Sequence, residues 1–559
     1  MRLSTGWMAA GAWALFCSMA VWLTIRGGGV SLDTDSAMRL SEVRDLLGGQ
    51  SWFDTAQHRM DTPYGLPMHW SRLADLGPAL LILLLRGVIG AGAETVMLYV
   101  WPLLLLLPVM MALARIATHL AGRTAAVLVL ILMLLCSQTY GLFAPGNIDH
   151  HALQIALALW TLVFLIEKRA LGTAICIAAS LCIGLETLPY AMVAILLACL
   201  WLGEGGNRAW RFGASLAAVS LLLLFTLTAA AYRFTPVCDT YSEFYAVLLA
   251  AGGAGLAAVA MLPRRKFLAF SVLTLAVVAL AFAMNRTCFG GPFVGISANL
   301  RTIFLSRINE ARPAWDFMHF APSEFVTGYC YAAVALAAGL FLPRTAAMVR
   351  TILFAAIALT IATFEIRAVP FAILFALPAL AAAMARYLLP RGVIFTALAL
   401  LVVSDVSFAF EAVQIEGVQP HLLRIEKYQA QAACGEKAAM APLVSLPPGR
   451  VAAFVDQGPA IMAYTTDSAI AGPYHRDADG IEDTYAIFTG APDQALAILR
   501  RRGITYVMAC TAAPDWPYYI AKAPNGLMAH LARHDLPAWL VAAVQSGNIR
   551  VWRVTASSN

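Results

Sequence analysis

Long apolar segments separated by short polar loops fill the first three quarters of the chain. With the bounds given below they hold 14–21 residues, close to the roughly 20 that a helix needs to cross about 30 Å of hydrocarbon. These thirteen segments predict transmembrane helices at about 6–24, 97–114, 124–142, 152–166, 171–185, 188–203, 212–232, 245–262, 267–284, 327–342, 351–364, 368–385 and 393–411. Segment 76–92 is also apolar but short and Gly-rich at its end, so we interpret it as an interfacial helix.

The pattern changes at about residue 412, beyond which proline, glycine and charged residues occur at ordinary frequency. Three buried strands and one helix are predicted there, at 451–454, 469–472, 506–510 and 491–502 respectively. Alternating strands and helices are typical of a small α/β domain. We therefore predict a polytopic α-helical membrane domain, 1–411, followed by a soluble α/β domain, 412–559.

Composition agrees with this division. The 559 residues are 60% hydrophobic and 13% charged, which excludes a soluble globular protein and is typical of polytopic membrane proteins. Lysine and arginine concentrate in alternate short loops, and such loops stay in the cytoplasm. This pattern predicts a cytoplasmic N-terminus in the cytoplasmic (inner) membrane. Outer loops 25–96 and 285–326 and the tail domain would then be extracytoplasmic, or periplasmic in a Gram-negative cell. The net charge of +6 reflects this bias, so we predict no nucleic-acid partner.

Four of the ten cysteines fall on the predicted outer side, where disulfides are permitted. Cys238 and Cys288 lie in neighbouring outer segments, while Cys434 and Cys510 both lie in the tail domain. Either pair could close. The other six are in or at the ends of predicted spans, where we interpret them as packing residues.

A polar motif, Asp149-His150-His151, interrupts two apolar segments. Pro145 and Gly146 disfavour a helix before it, so the Asp149 carboxylate and the His151 imidazole could turn toward one point. This would be half of a metal site. The alternative is a short polar loop that caps two helices.

Further acidic residues follow predicted membrane exits. Asp33 and Asp35 come directly after the first span, where a carboxylate is costly unless it binds a cation or a base. Asp33 could equally cap the next helix. Glu310 lies between Arg307 and Arg312, so it could join the same site or form a surface ion pair.

Basic and polar side chains offer substrate contacts. Arg367 lies at the outer surface between the eleventh and twelfth spans, and a guanidinium binds two phosphate oxygens at once. Interfacial snorkelling is the alternative. In the tail, Asp456 and the segment Tyr474-His475-Arg476 follow predicted strands, where α/β domains place sites; a solvated turn at 474–476 is the alternative.

These motifs, with thirteen spans and a soluble tail, resemble the catalytic subunit of oligosaccharyltransferases, which are GT-C membrane glycosyltransferases. Asp33, Arg39 and Trp52-Phe53-Asp54 are similar to the D-P-W-F-x-Y-R and W-F-D segments of the family's first outer loop. The aspartate-histidine-histidine motif is similar to the archaeal form of the second acidic motif. The resemblance implies that its first and third residues, Asp149 and His151, bind metal.

The resemblance continues along the chain. Residues 306–315 are similar to the fifth outer loop, S-V-S-E-x-x-P-x-x-W, with Glu310 at the glutamate. Arg367 is similar in place to an arginine near the phosphates of the lipid-linked donor. The family's acceptor motif, W-W-D-Y-G, appears only as residues 454–458, where Phe454 and Val455 replace the tryptophans. Thr34 also stands where the family has proline, so Asp35 competes with Asp33 as the catalytic acid.

We therefore expect a metal-assisted transfer of a sugar from a polyprenyl-phosphate or -diphosphate carrier at the outer membrane face. Carboxylates with one imidazole favour Mg²⁺ or Mn²⁺, and the imidazole favours Mn²⁺. The expected ligands are Asp33, Asp149, His151 and Glu310. Asp33 or Asp35 would act on the acceptor, Glu310 would complete the catalytic site, and Arg367 would bind the donor phosphate.

The expected acceptor is a glycolipid or glycan, bound by Asp456, His475 and Arg476, because the pocket for the sequon hydroxyl has lost its tryptophan donors. Three alternatives stay open: a protein oligosaccharyltransferase, a transporter or flippase of a lipid-linked intermediate, and an inactive subunit of the same fold. A transporter would place its ionisable groups near mid-membrane, whereas here they cluster in outer loops.

Overall fold

A computed structural model describes residues 5–291, 294, 296–402, 413–414 and 417–555. The chain forms two compact units, each assembled from three segments. The first unit consists of Met1–Val30, Trp70–Val294 and Ile308–Val418, and the second of Ser31–His69, Gly295–Arg307 and Gln419–Asn559. The predicted boundary between residues 411 and 412 lies outside the described residues and stays a prediction.

Apolar helices make up most of the first unit. Among the described residues, nine are long and apolar enough to cross a membrane: Thr5–Arg26, Gly92–Leu134, Leu185–Glu204, Asn207–Leu227, Glu243–Met261, Lys266–Gly290, Pro322–Leu340, Ala346–Phe364 and Ile366–Arg391. Three apolar helices are shorter: His151–Ile166, Ala170–Ile183 and Val393–Val402. The prediction of a polytopic helical membrane protein is confirmed. The number of crossings stays a prediction, and residues 403–411 of the last predicted span lie outside the described residues.

A break divides the 43-residue helix Gly92–Leu134. Ala121 has φ −150° and ψ 25°, and Gly122 has φ 77° and ψ −167°, so the helical hydrogen-bond pattern is interrupted there. Glycine adopts a positive φ without the penalty that a Cβ would bring. This break separates the helices predicted at 97–114 and 124–142, and the second of these continues as the short helix Ser137–Phe143.

The helices differ in how far they are enclosed. Ile366–Arg391 has 83% of its most apolar stretch buried, whereas Lys266–Gly290 has 6%. The first is therefore a central helix and the second a peripheral one. The predicted interfacial helix is present as Arg72–Ile89, with Ile82 buried and Leu84 exposed; its location in the membrane interface stays a prediction.

The second unit contains a five-stranded sheet. Its strands are β3 Arg450–Ala452, β4 Ser468–Ala469, β5 Tyr506–Cys510, β6 Leu540–Ser546 and β7 Ile549–Val554, in the order β4-β3-β5-β7-β6. Three strands, β3, β4 and β5, are parallel, whereas β7 runs antiparallel to both β5 and β6. The helices are Thr34–Leu47, Ala298–Ile303, Val418–Ala432, Lys437–Val444, Gly458–Tyr464, Ala478–Thr489, Pro492–Arg502, Asp515–Lys522 and Leu527–Ala532. The predicted strands and the predicted helix are confirmed, whereas the hairpin β6–β7 was not predicted.

Residues from the first outer loop complete this unit. A two-stranded sheet joins β1 Ala56–Gln57 to β2 Leu66–Pro67. Between them, the Thr62 amide donates to the Ala469 carbonyl at 3.1 Å, and the Ala469 amide donates to the Arg59 carbonyl at 2.8 Å. The edge strand β4 is therefore covered by backbone from the N-terminal third of the chain, which protects it from pairing with other chains.

Both predicted disulfides are present. Cys238 pairs with Cys288 in the first unit, with Cα atoms 4.9 Å apart. Cys434 pairs with Cys510 in the second unit, with Cα atoms 5.9 Å apart. The second bond ties the turn Ala433–Gly435 to the end of β5.

Candidate active site

The aspartate-histidine-histidine motif lies at the start of helix His151–Ile166. The Gly146 amide donates to the Leu98 carbonyl at 2.8 Å, which anchors the preceding turn. Ligand atoms of Asp149, His150 and His151 all lie within 4.8 Å of one another. The structure therefore brings Asp149 and His151 together, and it adds His150, which sequence reasoning did not assign.

Each carboxylate oxygen of Asp149 contacts a different histidine. Oδ2 contacts His151 Nδ1. Oδ1 accepts from the His150 amide at 2.5 Å and lies 2.5 Å from His150 Nδ1. Burial acts to raise the pKa of the Asp149 carboxyl, but His150 and His151 outweigh it and hold this pKa well below its usual range. The carboxylate therefore stays ionised, as a cation ligand must be.

His150 also reaches a second carboxylate. Its Nε2 lies 3.8 Å from Glu186 Oε1. Burial acts to lower the pKa of His150, but Asp149 and then Glu186 overcome this effect and raise the pKa to about 10. Glu186 follows the motif by 35 positions, and only the packing of two helices brings it here, so no local pattern could have identified it.

A divalent cation fits this group of residues. Both ring nitrogens of His150 are buried, and neither makes an aligned hydrogen bond to a described residue, although Asp149 Oδ1 lies 2.5 Å from Nδ1 and Glu186 Oε1 lies 3.8 Å from Nε2. Buried nitrogens without a partner call for an explanation, and an ion is one of the usual ones. Once the two histidines release their protons, as metal ligands must, one ionised carboxylate with two imidazoles is a donor set that suits Mn²⁺ or Zn²⁺.

Asp33 and Asp35 belong to the second unit, and their participation in this centre stays a prediction. Asp33 caps helix Thr34–Leu47 through Oδ1, which accepts from the Ser36 amide at 2.7 Å. The capping alternative is therefore present in the structure. Asp35 lies in the first turn of the same helix, and the Tyr474 hydroxyl donates to the Thr34 carbonyl at 3.4 Å.

Glu310 and Arg367 lie on two short turns of the first unit, Asn309–Ala311 and Ile366–Ala368. The Ile366 amide donates to the Arg312 carbonyl at 3.0 Å, which links the two turns. Glu310 is exposed, and no ion pair joins it to a described residue. Arg367 Nε lies 3.4 Å from Glu365 and is buried.

Arg307, one of the two arginines considered as an alternative ion-pair partner for Glu310, contacts a different carboxylate. Arg307 belongs to the second unit and pairs there with Asp515 at 3.0 Å. Its guanidinium also lies 3.8 Å from the centroid of the Tyr518 ring. The final residues of the segment Gly295–Arg307 are thereby fixed to the tail.

The segment 454–458 leads from β3 into helix Gly458–Tyr464 through the turn Val455–Gln457. Phe454 is buried, with its ring 4.9 Å from Phe488 and 5.6 Å from Tyr519. It is therefore a core residue. Asp456 is exposed on the turn Val455–Gln457.

The other two predicted acceptor residues lie beside the first outer loop within the second unit. The His475 ring is 4.8 Å from the His69 ring. Arg476 Nη1 donates to the carbonyl of Pro67 at 3.5 Å and to that of Met68 at 3.4 Å. These contacts orient His475 and Arg476, whereas the role in acceptor binding stays a prediction.

No protein-family model matches the chain, and a comparison with curated proteins finds no sequence match. Solved structures do match. The archaeal oligosaccharyltransferase AglB from Archaeoglobus fulgidus, in complex with an inhibitory peptide and a dolichol-phosphate, has a TM-score of 0.64 at 14% identity, covering 96% of this chain and 72% of that chain. An Archaeoglobus fulgidus oligosaccharyltransferase in the apo form has a TM-score of 0.61 at 15% identity, covering 96% of this chain and 73% of its own. An Archaeoglobus fulgidus oligosaccharyltransferase in complex with Zn and sulfate has a TM-score of 0.58 at 14% identity, covering 94% of this chain and 70% of its own. The chain thus has the fold that the resemblance predicts, that of an oligosaccharyltransferase of the GT-C class.

Proposed function

We propose that this protein is a membrane glycosyltransferase that transfers a sugar from a polyprenyl-phosphate or -diphosphate carrier to an acceptor at the outer membrane face. The observation that carries the proposal is the cluster of Asp149, His150 and His151 on a fold similar to that of AglB. The AglB structure contains a dolichol-phosphate, and a structure of an Archaeoglobus fulgidus oligosaccharyltransferase contains Zn and sulfate. A lipid phosphate and a divalent cation are therefore chemically reasonable partners for this chain.

Different residues of the chain would bind the cation, bind the donor phosphate and act on the acceptor. Asp149 and His151 would hold the cation together with Asp33 and Glu310, and Mn²⁺ or Mg²⁺ suits these ligands. When bound, the cation would neutralise charge that develops on the leaving phosphate. Arg367 would bind the phosphate oxygens with its planar guanidinium. Asp33 or Asp35 would orient or deprotonate the acceptor hydroxyl.

The acceptor is proposed to be a glycolipid or glycan. Phe454 stands where the family has tryptophan and is packed against Phe488 and Tyr519, so it offers no donor to a sequon hydroxyl. Asp456, His475 and Arg476 would suit a hydroxyl-rich or anionic acceptor. The cytoplasmic membrane, with the site on its extracytoplasmic side, is the proposed location.

Two measurements test the proposal. Mass spectrometry of envelope glycolipids and glycans, with and without the gene, should reveal one molecule that loses a sugar. Complementation with Asp149→Ala should leave the sugar missing, whereas the exposed control Asp493→Ala should restore it. Deleting a ligand to a catalytic cation typically costs about 10²-fold or more in rate.

Incubation of the purified protein with a lipid-linked sugar and a sequon peptide tests the acceptor class. We expect no glycopeptide. Metal-dependent glycopeptide formation that Asp149→Ala abolishes would show that the protein is an oligosaccharyltransferase despite its missing tryptophans. An unchanged envelope in the deletion strain, with transport of a lipid-linked intermediate lost instead, would favour the transporter.

A further inference from the structure

Glu186 has no role in the function proposed above, yet it lies at the beginning of the apolar helix Leu185–Glu204. An ionisable side chain at the end of a membrane helix is costly unless it has partners. Its two carboxylate oxygens face different groups. Oε2 accepts from Gln154 Nε2 at 2.9 Å, and Oε1 lies 3.8 Å from His150 Nε2.

Gln154 fixes the orientation of this carboxylate. It lies one turn into helix His151–Ile166 and is fully buried. Its Nε2 donates to Glu186 Oε2 and also to the Gly184 carbonyl at 3.0 Å. Two acceptors on one amide nitrogen determine which way the amide points, so Glu186 Oε1 is directed to the histidine.

Gly184 leaves the space that this contact needs. A Cβ at position 184 would lie 2.3 Å from Glu186 Oε2 and 2.8 Å from Gln154 Nε2. Any larger residue would displace one of the two side chains. The backbone there is extended, with φ −172°, so the requirement for glycine is one of space rather than of backbone conformation.

The ring of His150 is also held by its neighbours in the first unit. The His151 ring stacks on it at 4.4 Å, and the Trp70 ring lies 5.4 Å away. With these neighbours and Glu186 at Nε2, the position of Nδ1 is determined. Nδ1 is the atom that lies 2.5 Å from Asp149 Oδ1.

We propose that Glu186, oriented by Gln154, is a positioning residue that holds His150 against Asp149 and so sets the affinity of this centre for its divalent cation. The inference rests on the proposed function, because it concerns the same centre. Residues that support metal ligands in this way typically change metal affinity by about 10–100-fold when they are replaced.

The test is Mn²⁺ binding by the full chain purified in detergent, measured from the free Mn²⁺ signal in electron paramagnetic resonance. We expect Glu186→Gln to weaken binding by about 10-fold or more. Glu186→Asp keeps the charge but shortens the side chain, so a positioning role predicts weakened binding, whereas a purely electrostatic role predicts wild-type binding. Gly184→Ala removes no functional group and should also weaken binding.

Two controls separate the possible outcomes. Glu204→Gln removes a carboxylate from the opposite end of the same helix, where it pairs with Lys168 and Arg208, and it should bind Mn²⁺ like the wild type. Asp149→Asn should abolish binding. Pulsed electron paramagnetic resonance spectra of the wild type should show coupling between the bound Mn²⁺ and nitrogen. This coupling should be altered in Glu186→Asp, whereas a change limited to folding stability would leave it unaltered.

Each result has a different meaning. If the wild type binds no Mn²⁺, the metal-dependent function fails, and the inference fails with it. If the wild type binds, Asp149→Asn does not, and all Glu186 variants bind like Glu204→Gln, the inference is overturned while the proposed function stands.

Discussion

At the scale of single residues, Arg367 combines two properties that favour an anionic ligand. It begins the most enclosed membrane helix, and its Nε is buried without an aligned hydrogen-bond partner in the described part of the chain. Glu365 lies 3.4 Å from this nitrogen, so a phosphate oxygen would compete with this carboxylate for the guanidinium. Arginine differs from lysine at such a site because its planar fork donates two parallel hydrogen bonds.

We therefore expect Arg367→Lys to raise the KM for the lipid-linked donor by about 10-fold, through the loss of one charge-assisted hydrogen bond, with a smaller effect on the acceptor KM. Steady-state kinetics with purified donor lipid measures this. Arg386→Lys, near the other end of the same apolar segment Ile366–Arg391, is the matched control and should behave like the wild type. Equal KM values in both variants would contradict a phosphate role for Arg367.

At the scale of elements, the turn after β3 is shaped by a close backbone approach. A Cβ on Gly458 would lie 1.9 Å from the Ala471 carbonyl oxygen, and a backbone carbonyl cannot rotate away as a side chain does. Helix Gly458–Tyr464 thus packs closely on the segment that follows β4.

Gly458→Ala should consequently destabilise the second unit, by about 1–3 kcal/mol as for other overpacked cores. The change in stability is measured by thermal unfolding of the detergent-purified chain, with limited proteolysis of the tail as the readout. Gly435→Ala is the control, since a Cβ there meets no atom within 4 Å. Equal melting temperatures for the two variants would show that the turn can relax.

The sequence predicts those elements whose signal is local. Apolar segments predicted the membrane helices because length and hydropathy alone determine whether a helix can cross lipid. The hairpin β6–β7 was not predicted, although Gly547, with φ 52°, lies in its turn and β-branched residues flank it. Its strand β6 begins with five apolar residues but is largely exposed in the fold, and two of the five are alanines, which have low β-propensity.

Contacts between distant positions account for the rest of the site. Asp149 and His151 are two positions apart, so their proximity could be predicted from the motif. His150 and Glu186 are brought together by the packing of two helices, and Gln154 contacts Glu186 across 32 positions. With a single sequence, nothing distinguishes Glu186 from an acidic residue that merely ends a loop.

At the scale of the whole molecule, the charge pattern makes a prediction about sidedness. Lys522 and Arg264 are both exposed, and the distribution of basic loops puts Lys522 outside the cytoplasm and Arg264 inside. In intact spheroplasts, Lys522→Cys should react with a membrane-impermeant maleimide, whereas Arg264→Cys should react only after permeabilisation. The reverse labelling pattern would invert the topology and move the proposed site to the cytoplasmic face.

The division of the second unit among three chain segments leads to another prediction. Arg59 donates to carbonyls of Met462, Thr465 and Asp467, and buried Arg502 contacts Asp61 at 2.5 Å. A fragment limited to 419–559 loses these partners and uncovers the edge strand β4. We expect this fragment to aggregate, or to unfold without cooperativity when it is followed by circular dichroism. A fragment fused to residues 31–69 should be more soluble and should unfold more cooperatively. Cooperative unfolding of the isolated fragment would contradict this expectation.

The same arrangement constrains biosynthesis. Arg502 follows its partner Asp61 by 441 positions, and at about 5–20 residues per second a ribosome needs roughly 20–90 s to cover that distance. In the topology proposed above, the nascent first outer loop has by then left the translocon without its tail partners. Membrane insertion would therefore precede assembly of the second unit, and chaperones outside the cytoplasm would meet residues 31–69 before the rest of their domain exists.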